Sequence, residues 1–343
     1  MTENSMKRRT FLIASGAAAV TASAGCLGDD GEPEHYSTPA ADDLDRVVDV
    51  QWLEDNLDNV QPLDVRSKAD FTNSRIEGAH FFGDDGAEDM NWARAAAETD
   101  EGYLPDMEAV EEGAARAGIG RSDDIVFYGT SPDHEVMRAS VMFWSAGHEG
   151  DLYILDGGYS VWNEADLPTE SGDADHEDGS YDADGVPEDL IVTHEWLSER
   201  VNEDGAEIQL VDARGRDEFL GNVEPGYHHT FEFERFGHIP GATNINHPQN
   251  GIGSGDNAYE RLRSQEELEE LYLDAAGLDP DELTVSYCVS GIRAAPGLFM
   301  LDQLGWDDIR MYEGSWRDWG NLPEDEHPYS QEAENIVEHF DNA

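Results

Sequence analysis

The chain has 343 residues, of which 77 are Asp or Glu and 20 are Lys or Arg, giving a formal net charge of -57. A field of that sign excludes nucleic acid as a partner, because every phosphate contact would have to overcome it. Leu, Ile, Val and Phe together make only about a fifth of the chain, at the edge of the disordered range. Yet the apolar residues gather in short runs such as DIVFYG and LTVSYC, bounded by turn signals. A disordered chain has no reason to cluster them so. The composition therefore predicts a folded protein with a heavily carboxylated surface, long enough for two domains. Only Lys7 and Lys68 are lysines. Such a surface repels itself unless screened, and in 1 M salt screening acts within about 3 Å. A halophilic environment is the expectation.

Residues 1–28 read as a segment apart from the fold. A basic start, Lys7, Arg8, Arg9, Thr10, Phe11 and Leu12, precedes an Ala-rich apolar stretch ending in TASAGC. The stretch is too short to span a bilayer and has the layout of an export signal. The paired arginines resemble the twin-arginine signal, which implies export of a folded protein. The run ending in Cys26 resembles a lipobox. This implies cleavage before Cys26, lipid on that residue, and anchorage to the outer face of the cytoplasmic membrane. Residues 29–43 read as a polar tether.

Two further segments repeat one set of landmarks. The first carries QPLDVR, RIEGAHFF, DDIVFYG and LYILDGGYSVW; the second carries IQLVDAR, GHIPGATNI, ELTVSYC and DIRMYEGSWRDW. Asp64 and Arg66 match Asp212 and Arg214, Gly78 and Ala79 match Gly241 and Ala242, Tyr128 matches Tyr287, and Trp162 matches Trp319. The offsets of about 150 to 160 residues are far too long for a solenoid. They indicate a duplicated domain, with copies at residues 44–168 and 190–330. Residues 169–189 are acidic, Gly-rich and nearly free of large apolar side chains, so they read as a linker. Residues 331–343 read as an acidic tail. Within each copy short strands alternate with helical patterns such as SQEELEELYLDAAGL and AAPGLFMLDQLGW. The predicted fold class is α/β, each copy a mainly parallel sheet with helices on both faces.

In the second copy, strand LTVSY runs into Cys288, Val289, Ser290, Gly291, Ile292 and Arg293, and then into a helix. That junction is where parallel α/β sheets bind ligands. A helix N-terminus there offers unpaired N–H groups and partial positive charge, which favours a thiolate. Gly291 lets the loop curl, and Arg293 adds a planar cation. The only other cysteine is Cys26. A lipidated Cys26 would leave Cys288 without an internal disulfide partner.

At these residues the chain resembles a tandem-domain rhodanese, a thiosulfate sulfurtransferase, over nearly all of residues 44–330. LVDAR, GHIPGATNI, YCVSGIR and YEGSW stand in that family's order. The resemblance implies two rhodanese-like domains, the second catalytic. The first is an inactive copy, with Gly129 at the cysteine position, that walls the site. It implies that Cys288 attacks the outer sulfur of thiosulfate and that sulfite leaves. The N–H groups of residues 289–293 then hold the persulfide until cyanide or a thiol accepts the sulfur. No metal or cofactor is implied, and the partners are a small sulfur donor and a thiophilic acceptor. The six-residue CxxxxR loop is shorter than the CxxxxxR loop of the related phosphatases and suits a single added sulfur atom. Arg214 either meets the donor's sulfonate or pairs with Asp212. Glu218 stands where thiosulfate and mercaptopyruvate enzymes of vertebrates carry an Arg, and Val289 and Ser290 are neutral where basic residues are frequent. 3-Mercaptopyruvate therefore remains an alternative donor, and a persulfide carrier or redox-sensing surface module an alternative function. The adjacent His228 and His229 read as a solvated loop pair.

Overall fold

A computed structural model describes residues 38–83, 96–99, 102–174, 177–202, 204–253 and 260–340. Lys7 to Leu12 and Cys26 lie outside the described residues, as do 29–37 of the expected tether. The first copy builds a five-stranded sheet from β1 (Val47–Val48), β2 (Gln61–Asp64), β3 (His80–Phe81), β4 (Ile125–Tyr128) and β5 (Leu152–Leu155). Its strand order is β1-β5-β4-β2-β3, and every pairing is parallel. The second copy repeats this plan with β6 (Ile191–Val192), β7 (Gln209–Asp212), β8 (Thr243–Ile245), β9 (Thr284–Tyr287), β10 (Ile309–Tyr312) and β11 (Ile336–Val337). Its order is β6-β10-β9-β7-β8-β11, again parallel throughout.

Both faces of each sheet are covered, as short, fully apolar strands require. Along β4, Val126 and Tyr128 pack with Val50, Leu53, Val161 and Trp162 on one face. Ile125 and Phe127 pack with Met137, Val141 and Phe143 on the other. Those last three residues belong to helix α1 (His134–Ser145), which follows β4. In the second copy the corresponding helix is α2 (Ala295–Gln303). The two helices pack on each other, and one apolar core runs through both copies.

The duplication extends to single hydrogen bonds. Asp64 pairs with Arg66, and Asp212 with Arg214, each through a 2.6 Å contact. Tyr128 accepts the Ile76 N–H, and Tyr287 accepts the Ile239 N–H. Trp162 donates to the Pro168 carbonyl and Trp319 to the Pro328 carbonyl.

The connecting segments are more built-in than the sequence suggests. In the linker, Thr169–Glu170 pairs with Arg75–Ile76, Tyr181 is buried against Phe143 and His148, and Arg121 bonds Asp184. The linker is thus seated on the first copy. The tail supplies β11 at the edge of the second sheet, and the Phe340 ring centroid lies 3.5 Å from the Arg263 guanidinium carbon. Folded structure also begins ahead of residue 44, since Thr38 and Ala40 are buried. Single apolar residues in polar segments suffice to anchor them, because each buries a complete side chain.

Candidate active site

β9 ends at Tyr287, and Cys288 follows with 1 % of its surface exposed. Its Sγ accepts the Ser290 N–H at 3.4 Å. The loop is shaped from outside by Ser315, which opens helix α3 (Ser315–Trp319). Ser315 Oγ accepts the N–H groups of Cys288 (3.0 Å) and Gly291 (3.2 Å) and donates to the Tyr312 carbonyl at 2.8 Å. That exhausts the capacity of one hydroxyl. Ser315 holds a φ of +53°, a left-handed conformation costly for a residue with a Cβ. From α3 the Trp316 and Arg317 N–H groups bond the Cys288 and Val289 carbonyls. The Ile292 carbonyl accepts the Ala295 N–H. The expectation that all N–H groups of residues 289–293 face the sulfur therefore needs correction. Gly291 directs its N–H to Ser315, and Ser290 supplies the N–H on Sγ. Gly291 itself is required by geometry. Its φ is +82°, and a Cβ there would lie 2.6 Å from Glu313 Oε2. Beyond the loop α2 begins without a side-chain cap, and Pro296 in its first turn has no N–H to offer.

Arg293 closes both terminal nitrogens on Glu218, at 2.7 and 2.8 Å. Glu218 also accepts from His228 Nε2 at 2.9 Å and from the Gly215 N–H at 3.1 Å. Burial opposes its charge, yet the bonds from Arg293 and His228 hold its carboxyl well below the usual range. Burial likewise works against the Arg293 charge, and Glu218, joined by the field of Cys288, raises its pKa. His228 is therefore no solvated loop residue; its partner His229 is exposed. Arg214 is bonded to Asp212 and to the Gly237 carbonyl. Arg66 makes the same bonds to Asp64 and the Ser74 carbonyl in the copy that lacks the cysteine. Of the two readings of Arg214, the structure shows the pairing with Asp212. The edge of Arg214 still borders a narrow cleft formed with Glu218, His228, Phe233, Phe236 and Trp316.

The first copy closes the other side. A Cβ at Gly129 would lie 2.8 Å from Val136 Cγ2 and 2.9 Å from the Ser131 carbonyl oxygen, so no cysteine fits as the backbone stands. Arg138 of α1 makes two 2.8 Å bonds to Glu313 of the second copy. The His134 ring meets the His247 ring edge-on at 4.9 Å. Burial pushes the His247 pKa well down, helped by His134 and Arg293. Its Nδ1 has no hydrogen-bond partner among the described residues. Among the described residues no group of three or more His, Cys, Asp or Glu is placed to hold a metal. Sequence reasoning missed Arg138, His247, Glu313 and Ser315. The YEGSW run signalled the last two, but nothing local to it gives the roles.

The profile of the rhodanese-like domain matches residues 49–165 and 193–322. A thiosulfate sulfurtransferase of Corynebacterium glutamicum is 31 % identical over 301 residues, covering 84 % of this chain and 90 % of its own. A 3-mercaptopyruvate sulfurtransferase of Rattus norvegicus is 28 % identical over 307 residues, covering 87 % and 92 %. The crystal structure of a 3-mercaptopyruvate sulfotransferase from Escherichia coli superposes with a TM-score of 0.62 at 23 % identity, over 79 % of this chain and 98 % of that one. With both copies matched and the thiol loop set between them, the chain belongs to the rhodanese family of sulfurtransferases.

Proposed function

We propose that the protein moves the outer sulfur of thiosulfate to cyanide or a thiol through a persulfide on Cys288. The observation that carries this reading is the Cys288 sulfur itself. It lies at the carboxyl end of β9, takes the Ser290 N–H, and is coupled electrostatically to Arg293. In the first half-reaction the Cys288 thiolate bonds to the outer sulfur. The S–S bond of thiosulfate breaks, and sulfite leaves with its electron pair. In the second, cyanide bonds to the terminal sulfur of the persulfide, and thiocyanate leaves the thiolate restored. The relative from Corynebacterium supports thiosulfate as donor. Mass spectrometry after incubation with thiosulfate should find one added sulfur on Cys288. Thiocyanate release should vanish in Cys288→Ser; a residual activity above about a tenth of wild type would remove Cys288 from the chemistry. A persulfide that forms without multiple turnover favours the carrier reading instead.

We infer further that residues 1–28 direct export and that Cys26 carries lipid, on the strength of Arg8, Arg9 and the SAGC run. Substituting both arginines with lysine should keep the protein inside the cell. Cys26→Ala should release the exported form into the medium. The charge of -57 supports function in concentrated salt. Activity should fall as KCl is withdrawn from molar levels, because repulsion then reaches about 30 Å at 0.01 M.

A further inference from the structure

Four arginines surround the Cys288 loop, and three have their charge matched by carboxylates. Arg293 is closed on Glu218, Arg214 on Asp212, and Arg138 on Glu313. Arg317 is the fourth. Its Nε and Nη2 are buried and make no hydrogen bond among the described residues. The nearest carboxylate is Glu313, at 3.8 Å, and both oxygens of that group already accept from Arg138. The guanidinium carbon lies over the Tyr103 ring, 4.0 Å from the ring centroid, with the Phe231 ring at 5.7 Å. Tyr103 belongs to the first-copy hairpin of Ala96–Thr99 and Gly102–Pro105. Two N–H donors in such a setting are costly to leave empty. In a chain that carries 77 acidic residues, Arg317 thus has two buried donor nitrogens and no carboxylate of its own.

The position of Arg317 bears on what those donors bind. The Arg317 N–H bonds the Val289 carbonyl at 2.9 Å, so the residue is fixed to the cysteine loop at its root. Glu313 is its nearest carboxylate and also backs Gly291. We propose that Arg317 binds the oxyanion end of the sulfur donor, the sulfonate of thiosulfate or the carboxylate of a mercapto acid, and directs the donor's sulfur toward Cys288. The proposal rests on the sulfurtransferase reading above. It supplies the cation that Glu218 removes from the usual place. The planar N–H donors of a guanidinium suit an oxyanion better than a lysine would. Tyr103, from the copy without a cysteine, then positions a specificity residue of the other.

The test compares an anionic and an uncharged sulfane donor, thiosulfate and diallyl trisulfide, in wild type, Arg317→Met and Arg317→Lys. Arg317→Met should raise KM for thiosulfate by about tenfold or more with kcat within about twofold, and leave persulfide formation from the trisulfide unchanged. Arg317→Lys should recover part of the loss. Equal losses with both donors, or an unchanged KM for thiosulfate, overturn the proposal. If wild type rejects thiosulfate and accepts 3-mercaptopyruvate, the thiosulfate reading fails. The Arg317 comparison is then made with that carboxylate and is judged by the same two outcomes. Far-UV circular dichroism on each variant separates an anion-binding loss from a folding defect.

Discussion

Arg138 and Glu313 close a bidentate ion pair across the two copies, both nitrogen–oxygen distances being 2.8 Å and neither side chain exposed. Because Glu313 also stands behind Gly291, the pair ties the first copy to the cysteine loop. Removing Arg138 leaves the buried Glu313 with the more distant Arg317, at 3.8 Å, and breaking a buried pair costs about 3–5 kcal/mol. Arg138→Met should therefore lower the urea midpoint by an amount of that order, while Arg138→Met with Glu313→Gln should recover a good part of it. The measurement is a double-mutant cycle in molar KCl. A single-variant loss below about 1 kcal/mol, in the range of exposed pairs, would mean that solvent reaches the pair.

Ser315 carries the shape of the loop. Ser315→Ala would orphan the N–H groups of Cys288 and Gly291, each at about 1–3 kcal/mol, and keep the strained φ. We expect a stability loss of about 2–4 kcal/mol and a fall in thiocyanate formation of about a hundredfold, by analogy with the loss of one preorganised donor. Ser315→Gly should be less destabilised than Ser315→Ala by about 1 kcal/mol, since only the backbone strain is relieved. Chemical denaturation and steady-state assay of both variants check this ordering. The reverse order would mean that the left-handed φ costs nothing here.

Glu218 occupies both terminal nitrogens of Arg293. Glu218→Gln should lower KM for thiosulfate several-fold and cost about 3 kcal/mol of stability near neutral pH. The sign with pH follows from the direction of its shift. A carboxyl whose folded pKa is depressed stabilises the fold above its unfolded value, about 4.3, and loses that contribution as pH falls through the folded value. Wild type should therefore lose stability in acid more steeply than Glu218→Gln. A KM that stays the same or rises would show that Arg293 makes no contact with the donor even when released.

His247 should impose a second pH dependence. It is buried neutral, facing His134, Arg293 and Glu218. Below about pH 6.5 the unfolded chain takes up a proton that the folded chain refuses. Stability then falls with decreasing pH by up to about 1.4 kcal/mol per unit from this one group. His247→Phe should reduce that slope between pH 6.5 and 5 without changing its sign elsewhere, as read by urea midpoints across the range. An identical slope in the two proteins would assign the pH dependence to other buried histidines such as His238.

Much of this architecture is written in local chemistry. The Asp64–Arg66 and Asp212–Arg214 pairs, Tyr128 and Tyr287, and Trp162 and Trp319 each make their bonds within one copy, so a repeated motif was enough to find them. Cys288, Gly291 and Arg293 were legible because a strand, a Gly-bearing loop and a helix follow in sequence. What stayed hidden depends on chain segments far apart. Arg138 meets Glu313 across 175 positions, and His134 meets His247 across the two copies. Arg317 gains its meaning from three pairs that close elsewhere. The linker and tail were misjudged because averaged polarity conceals Tyr181, Ile336 and Val337, and one buried aromatic outweighs several solvated carboxylates.

The edge strand β11 has a consequence for the order of synthesis. Gln249, two residues from His247, donates to the Val337 carbonyl and accepts the N–H groups of His339 and Phe340. A ribosome delivers those partners after every other strand of the second sheet. The first copy has all of its sheet strands once residue 155 has emerged, whereas the segment that carries His247 keeps a buried amide unsatisfied until residue 340 is free. The half that carries Cys288 should therefore mature only after residue 340 has emerged, docking onto a first copy already formed.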